Sequence, residues 1–183
     1  MMTGRAISDL AATRAVLDGC VDACRRCETV VRLVQTAPPE AARAAFGAIG
    51  PHLRHCVDHF LCLFGGLESG IVDYDARERD RRLETDLPAL RAALEAVGLR
   101  LSEIEPGALG RPLRVRQTAA PGAPPVTVGS NVERELVFLS GHTIHHLAIM
   151  TILLVERGLA VPQGLDVAYS TAVHLNAAAD GDP

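Results

Sequence analysis

Ser130–Arg157 reads SNVERELVFLSGHTIHHLAIMTILLVER, and the spacing of its apolar residues decides the fold. Val132, Leu136, Leu139, Thr143, Leu147, Met150 and Leu154 recur at steps of three and four, the period of one helical face. Ser130 or Asn131 offers an N-cap, Ser130 with Glu133 fits a capping box, and Gly158 offers a stop. At about 100° per residue, His142 and His146 lie about 120° and 80° to one side of this seam. His145 lies opposite the seam and is expected to face solvent.

Upstream, the same 3-4 pattern predicts two more long helices. The first runs from about Ile7 to Val34, with Leu10, Leu17, Cys24 and Val31 interleaved with Thr13, Cys20, Cys27 and Val34, and Pro38-Pro39 ends it. The second runs from Pro39 or Ala41 to Glu68, with the seam Phe46, Ile49, Leu53, Cys56, Phe60, Leu63 and Leu67. Pro51 either kinks it or marks its start. Gly65-Gly66 and Ser69-Gly70 loosen its end. A third helix is expected over Ala76–Val97, capped by Gly98.

Pro106–Ser130 holds five prolines, and Leu113–Thr118 and Val126–Val128 alternate or are β-branched. That reads as a β-hairpin or extended crossover within the domain. The tail, Val161–Pro183, holds a short segment over Asp166–Leu175 and an end expected to fray from Asn176 onward. The expected fold is all-α: a four-helix bundle with a long crossover before the last helix. It forms one domain over 1–183, with a core over about 7–158 and a tail over 159–183.

Composition narrows the function classes. The chain has 183 residues and a net charge of -4, from 18 basic and 22 acidic side chains. That argues against a broad nucleic-acid surface. Five cysteines, an odd number on expected helices, do not suit a secreted disulfide framework. Met1–Leu17 lacks the apolar core of a signal peptide, and the strongly apolar Leu147–Val155 is too short to span a bilayer. The expectation is a cytoplasmic protein with neither nucleic acid nor membrane as partner.

Six of the seven histidines fall in two clusters, His52/His55/His59 and His142/His145/His146. Each contains an H-x-x-x-H pair, which places two imidazoles on one helical face. His55 and His59 sit about 120° and 80° from their own seam, the same offsets as His142 and His146. Both pairs therefore flank the core, at an edge that a substrate can reach. H-E-x-x-H is absent, so the zincin arrangement is excluded. E-x-x-H is absent from both histidine helices, which disfavours a di-iron carboxylate site. A mononuclear site of three histidines with open positions fits the pattern, and imidazole ligation leaves zinc, nickel and iron as candidates. Such an ion lowers the pKa of a bound water or thiol and polarises carbonyls. From the residues alone, His55 and His59 remain alternatives on the second helix.

At these residues the chain resembles the DinB-like superfamily of four-helix bundles. Ala48–His55 resembles the family's second-helix stretch, and Gly141–His146 resembles its fourth-helix motif. The resemblance covers about residues 7–158 and extends to the crossover at Pro106–Ser130. It implies a divalent ion held by His55, His142 and His146. His59, one turn beyond His55, departs from the family pattern and is read as an additional ligand, a proton shuttle or a partner behind the ligands. Family members include bacillithiol S-transferases and mycothiol-dependent maleylpyruvate isomerase. The resemblance thus implies a transferase, isomerase or hydrolase acting on a small molecule such as a thiol, in a homodimer. The alternative is a bundle that binds metal or ligand without catalysis, a stress-response protein or a purely structural dimer.

Two further signals have plain readings. Cys20, Cys24 and Cys27 have the spacing of a radical-SAM cluster motif, but on an amphipathic helix they fall within about 60° of one another on the core stripe, where cysteine is a small hydrophobe. Asp73–Arg82 reads as a solvated helix start; the functional alternative is that Tyr74, Arg77 or Arg79 grips an anionic substrate group. Asp58 is expected either to orient a ligand imidazole or to lie on the surface.

Overall fold

The structure, a computed structural model, describes residues 4–179, with side chains described over 14–175. It is mostly helical, with five helices and one small three-stranded sheet. Helix α1 spans Gly4–Thr36, α2 Pro39–Ser69, α3 Leu87–Ser102, α4 Val132–Val155 and α5 Tyr169–Ala179. Strands β1 (Ile71–Asp73), β2 (Pro112–Gln117) and β3 (Val126–Asn131) form the sheet in the order β1-β2-β3.

The seams read from the sequence are the packed faces. Every residue of the α4 seam is buried, as are Ile49, Leu53, Cys56, Phe60 and Leu63 of α2 and Cys20, Cys24, Cys27, Val31 and Val34 of α1. Leu10 and Thr13 of the expected α1 seam lie outside the residues whose side chains are described. Helix α1 packs on α2, α3 and α4, while α2 packs on α3 and α4. By length and composition α4 is apolar enough to cross a membrane, but its seam is buried here against α1 and α2. The helix also carries Ser140, His142, Thr143, His145 and His146 through its middle.

Helix α2 explains how the site is framed. Pro39 starts it at a position where a missing N–H costs nothing. Pro51 is accommodated inside it; the carbonyl it leaves without a partner belongs to exposed Gly47. The chain leaves α2 through Gly70, at φ 74°, whose N–H bonds the Gly66 carbonyl at 2.9 Å. Gly66 admits the returning strand: a Cβ there would meet the Ile71 carbonyl oxygen at 2.5 Å. Gly50 does the same for the 3₁₀ turn Arg81–Glu84, with a Cβ meeting the Glu84 carbonyl oxygen at 2.7 Å.

The small sheet adds to a chain that is mostly helical, as expected. The crossover forms the expected hairpin, with β2 antiparallel to β3 from Pro112↔Asn131 to Gln117↔Val126. The unexpected strand is β1, which pairs parallel to β2 with Ile71 opposite Arg114 and Asp73 opposite Arg116. Three residues are too few to show a period of two, so the sequence pattern is silent there.

Several boundaries move for local reasons. Helix α3 begins at Leu87, not Ala76, because aspartates divert the intervening backbone. The Asp73 side chain accepts from the Asp75 and Ala76 N–H groups at 2.9 and 3.2 Å, and Asp80 accepts from the Arg82 N–H at 3.0 Å. Asp86 is the true cap, accepting from the Ala89 N–H at 3.0 Å. Gly98 does not end α3, which continues to Ser102. For α4 the cap is Asn131, whose side chain accepts from the Arg134 N–H at 2.7 Å. The Ser130 hydroxyl instead donates to Glu135 Oε1 at 2.5 Å, so no capping box forms with Glu133. Helix α4 ends at Val155 rather than Arg157, and Gly158 turns the chain at φ 77°.

The tail is tied to α1. The Tyr169 hydroxyl donates to the Gly19 carbonyl at 2.7 Å. Arg26 donates to the Gly164, Leu165 and Val167 carbonyls at 3.1, 3.3 and 3.0 Å. Helix α5 continues to Ala179, past the point where fraying was expected, and residues 180–183 of that expectation lie outside the described ones.

Candidate metal centre

The packing of α2 against α4 turns the two histidine faces toward each other. His55 of α2 and His142 and His146 of α4 offer ring nitrogens that all lie within 4.8 Å of one another. His55 Nε2 and His142 Nε2 are 3.0 Å apart. Two nitrogens bound to one tetrahedral ion at about 2.0–2.1 Å stand about 3.3 Å apart, so this spacing suits a shared ion after a shift of a few tenths of an ångström. The residues therefore fit a divalent cation, and the donor set is wholly imidazole.

The electrostatics favour the ligating form. Burial, then the neighbouring imidazoles, hold His55 down to about 3. Burial lowers His59, His142 and His146 to about 4. All four rings are neutral at neutral pH, as a metal requires of its histidines.

The remaining histidines separate cleanly. His145 is exposed, as its helical phase predicts. His59 is buried, 6% exposed, and its Nδ1 donates to the His55 carbonyl at 2.8 Å, which leaves Nε2 as an acceptor. It is not in the mutually close set of three, although its ring centroid lies 4.2 Å from that of His55 and 4.6 Å from that of His142. His52 has a contact the sequence pattern did not assign: its Nδ1 lies 3.0 Å from Nδ1 of His146. With His146 Nδ1 as the donor and His52 Nδ1 as the acceptor, the bond fixes the His146 ring and leaves its Nε2 for an ion. The available signal was that His52 stands three residues before His55, on the same helical face.

Asp58 neither orients an imidazole nor lies on the surface. It is 3% exposed and accepts from Arg54 at 2.5 Å, and Arg54 also donates to Glu84 at 2.6 Å. This pair of bonds pins the 3₁₀ turn to α2 beside the histidines. Burial raises the Asp58 carboxyl, with Arg54 opposing.

The three candidate substrate residues stand differently. Tyr74 is buried and its hydroxyl donates to Glu135 Oε2 at 2.8 Å. Glu135 is 1% exposed and also accepts from Ser130 and from Arg134, the latter at 3.0 Å. The Tyr74 ring stacks on His59 at 5.4 Å between centroids, so this network backs the site from the sheet side. Phe138 stacks on His142 at 5.5 Å and closes the same side. Arg77 is half-buried and donates through a terminal nitrogen to the Tyr74 carbonyl. Arg79 is exposed, at φ 54°, and its guanidinium bonds the Arg77 and Asp75 carbonyls at 3.2 and 3.4 Å.

Comparison with known proteins adds one partial similarity. No family model matches the chain, and no solved structure matches it. A protein of Rhizopus delemar named FK506-binding protein 5 is 30% identical over 106 residues, or 57% of this chain. The chain spans 28% of that protein's length. Such a match assigns no family, and the three converging imidazoles are the feature on which a functional reading stands.

Proposed function

We propose that the chain is a metal-dependent enzyme of the DinB-like type. In this reading the four long helices form a four-helix bundle, and His55, His142 and His146 hold one zinc, nickel or iron ion. The carrying observation is the convergence of three neutral imidazoles from two helices, with all three ligand nitrogens within 4.8 Å. When bound, an ion of this kind supplies Lewis-acid chemistry, activating a water or thiol and polarising a carbonyl. The protein's own residues orient and shelter the site. His52 fixes the His146 ring, the His59 Nε2 stands ready to accept a proton, and Tyr74 and Phe138 exclude water on one side. The reaction class is thiol transfer, isomerisation or hydrolysis of a small molecule; the cysteine usage supports a cytoplasmic setting, and the resemblance carries with it a homodimer.

A second reading rests on how close the His59 ring lies to His55 and His142. If His59 supplies a fourth nitrogen, the shell closes as in structural sites, and the chain is a binding bundle without catalysis. Elemental analysis of protein purified without an affinity tag tests both readings. The enzyme reading expects one ion per chain, lost in His142→Ala and in His146→Ala and kept in His59→Ala. Full occupancy in the first two variants would sink the site. Equal loss in all three would favour the closed shell.

A further inference from the structure

We propose that Arg77 is the anion-binding group of this site, and that its ligand is a small molecule carrying a carboxylate next to the group that reaches the ion. The proposal rests on the three-histidine metal reading. It narrows three candidate residues to one. The Tyr74 hydroxyl is already committed to Glu135. Arg79 is exposed and its guanidinium is spent on the backbone of its own loop.

Arg77 differs from both. Its terminal nitrogen is tied to the Tyr74 carbonyl, and the Tyr74 ring lies against His59, which in turn lies against His142. The guanidinium is thereby tied to the segment whose tyrosine packs against the histidines. Its Nε is buried and has no hydrogen-bond partner. Asp58 is bonded by Arg54, Asp73 by Arg116, Asp75 by Thr118, Asp80 by Arg82, and Glu135 by Tyr74, Ser130 and Arg134, while the exposed Glu78 forms no ion pair with Arg77. Among the described residues Arg77 has no ion-pair partner. A buried guanidinium N–H without an acceptor is costly and calls for an explanation.

Charge balance points the same way. Three neutral imidazoles leave both positive charges of a divalent ion uncompensated, and Arg77 adds a third. The charge on Arg77 is felt at the rings, where it contributes to the lowering of His55, His59 and His142. A ligand with negative charge answers both groups, and the planar guanidinium fork matches a carboxylate in shape. Lysine would supply the charge without the fork.

The test uses the full chain loaded with cobalt(II), whose thiol-to-metal absorption reports ligand binding without turnover. Mercaptoacetate is titrated against 2-mercaptoethanol, which has the same thiol but a hydroxymethyl group in place of the carboxylate. Wild-type protein is expected to favour mercaptoacetate by about tenfold. Arg77→Gln should remove that preference, and Arg77→Lys should keep only part of it, with one cobalt per chain in each. If Arg77→Gln fails to fold, the Arg77→Lys comparison decides. Equal affinity for both thiols in wild type, or an undiminished preference in the variants, overturns the role of Arg77 while the metal site stands. Absence of cobalt from wild type overturns the metal reading and this proposal together.

Discussion

Stripped of metal and moved to mild acid, the protein is expected to lose stability before its carboxylates titrate. A free histidine titrates near 6.5, whereas burial and crowding hold His55 at about 3 and His59, His142 and His146 at about 4. Between those values the unfolded chain binds protons that the folded chain refuses, so acid favours unfolding. The contribution is complete above about pH 6.5 and drains away as pH falls toward 4. A shift of this size on a fully sheltered ring corresponds to about 3 kcal/mol. Three of these rings keep solvent contact, and all four titrate together. Discounting for both, the cluster should lose roughly 2–3 kcal/mol between pH 7.5 and pH 5. In a chain of this length each kcal/mol moves Tm by about 2–4 °C, so the melt should fall by about 5–10 °C. Asp73 and Asp80, held below the usual carboxylate range by Arg116 and Arg82 and by backbone N–H groups, weaken only below about pH 4. Asp58, raised by burial, works in the opposite sense. Circular-dichroism melts in chelator at pH 7.5, 6 and 5 would measure the slope. A Tm that stays flat across that range, or an equal slope in His142→Gln, would refute the reasoning. Added metal should push the transition to lower pH, because the ion competes with protons for the same nitrogens.

The other expectations concern single positions. His145→Ala should leave metal content unchanged, since the ring faces solvent; a loss like that of His146→Ala would mean that α4 presents another face to α2. His52→Ala should keep one ion per chain but weaken its affinity about 10–100-fold, read by competition with a chromogenic chelator, and an unchanged affinity would remove His52 from any orienting role. Gly66→Ala should cost about 1–3 kcal/mol in chemical denaturation, because its Cβ would collide with the β1 backbone. Gly47→Ala, with nothing within 4 Å and an exposed helical position, should instead stabilise by about 0.5–1 kcal/mol; matching signs for the two would undo the packing argument.

What the sequence made legible follows from length of pattern. The seam of α4 repeats over seven positions, and every one is buried. The histidine offsets survive because they depend only on helical phase, which a long helix enforces. Three features escaped for definite reasons. Strand β1 is three residues long and carries no periodic signal. The start of α3 was obscured because Asp73, Asp80 and Asp86 bond nearby backbone N–H groups, a competition that a charge-rich stretch conceals. Glu135 read as one more charged residue near a helix start, yet it is buried under three donors that come from β3, α4 and the loop after β1. Its partners Tyr74 and Ser130 are assembled by the sheet, and no local spacing announces them.

The cysteines of the core bear on how the protein acquires its ion. Cys20, Cys24, Cys27 and Cys56 are buried in the folded state, where desolvation pushes the Cys20 thiol up to about 12 and raises Cys24, and a hydrogen bond with Cys56, then burial, raises Cys27. A thiol must become a thiolate to bind metal, so the folded chain withholds these four soft donors and leaves the ion to imidazole. The unfolded chain has no such discipline. Five thiols and seven histidines would then compete for the same ion, and metal held by the unfolded state works against folding. Loading should therefore succeed after the helices have closed over the sulfurs, and zinc present during refolding should trap misligated chains.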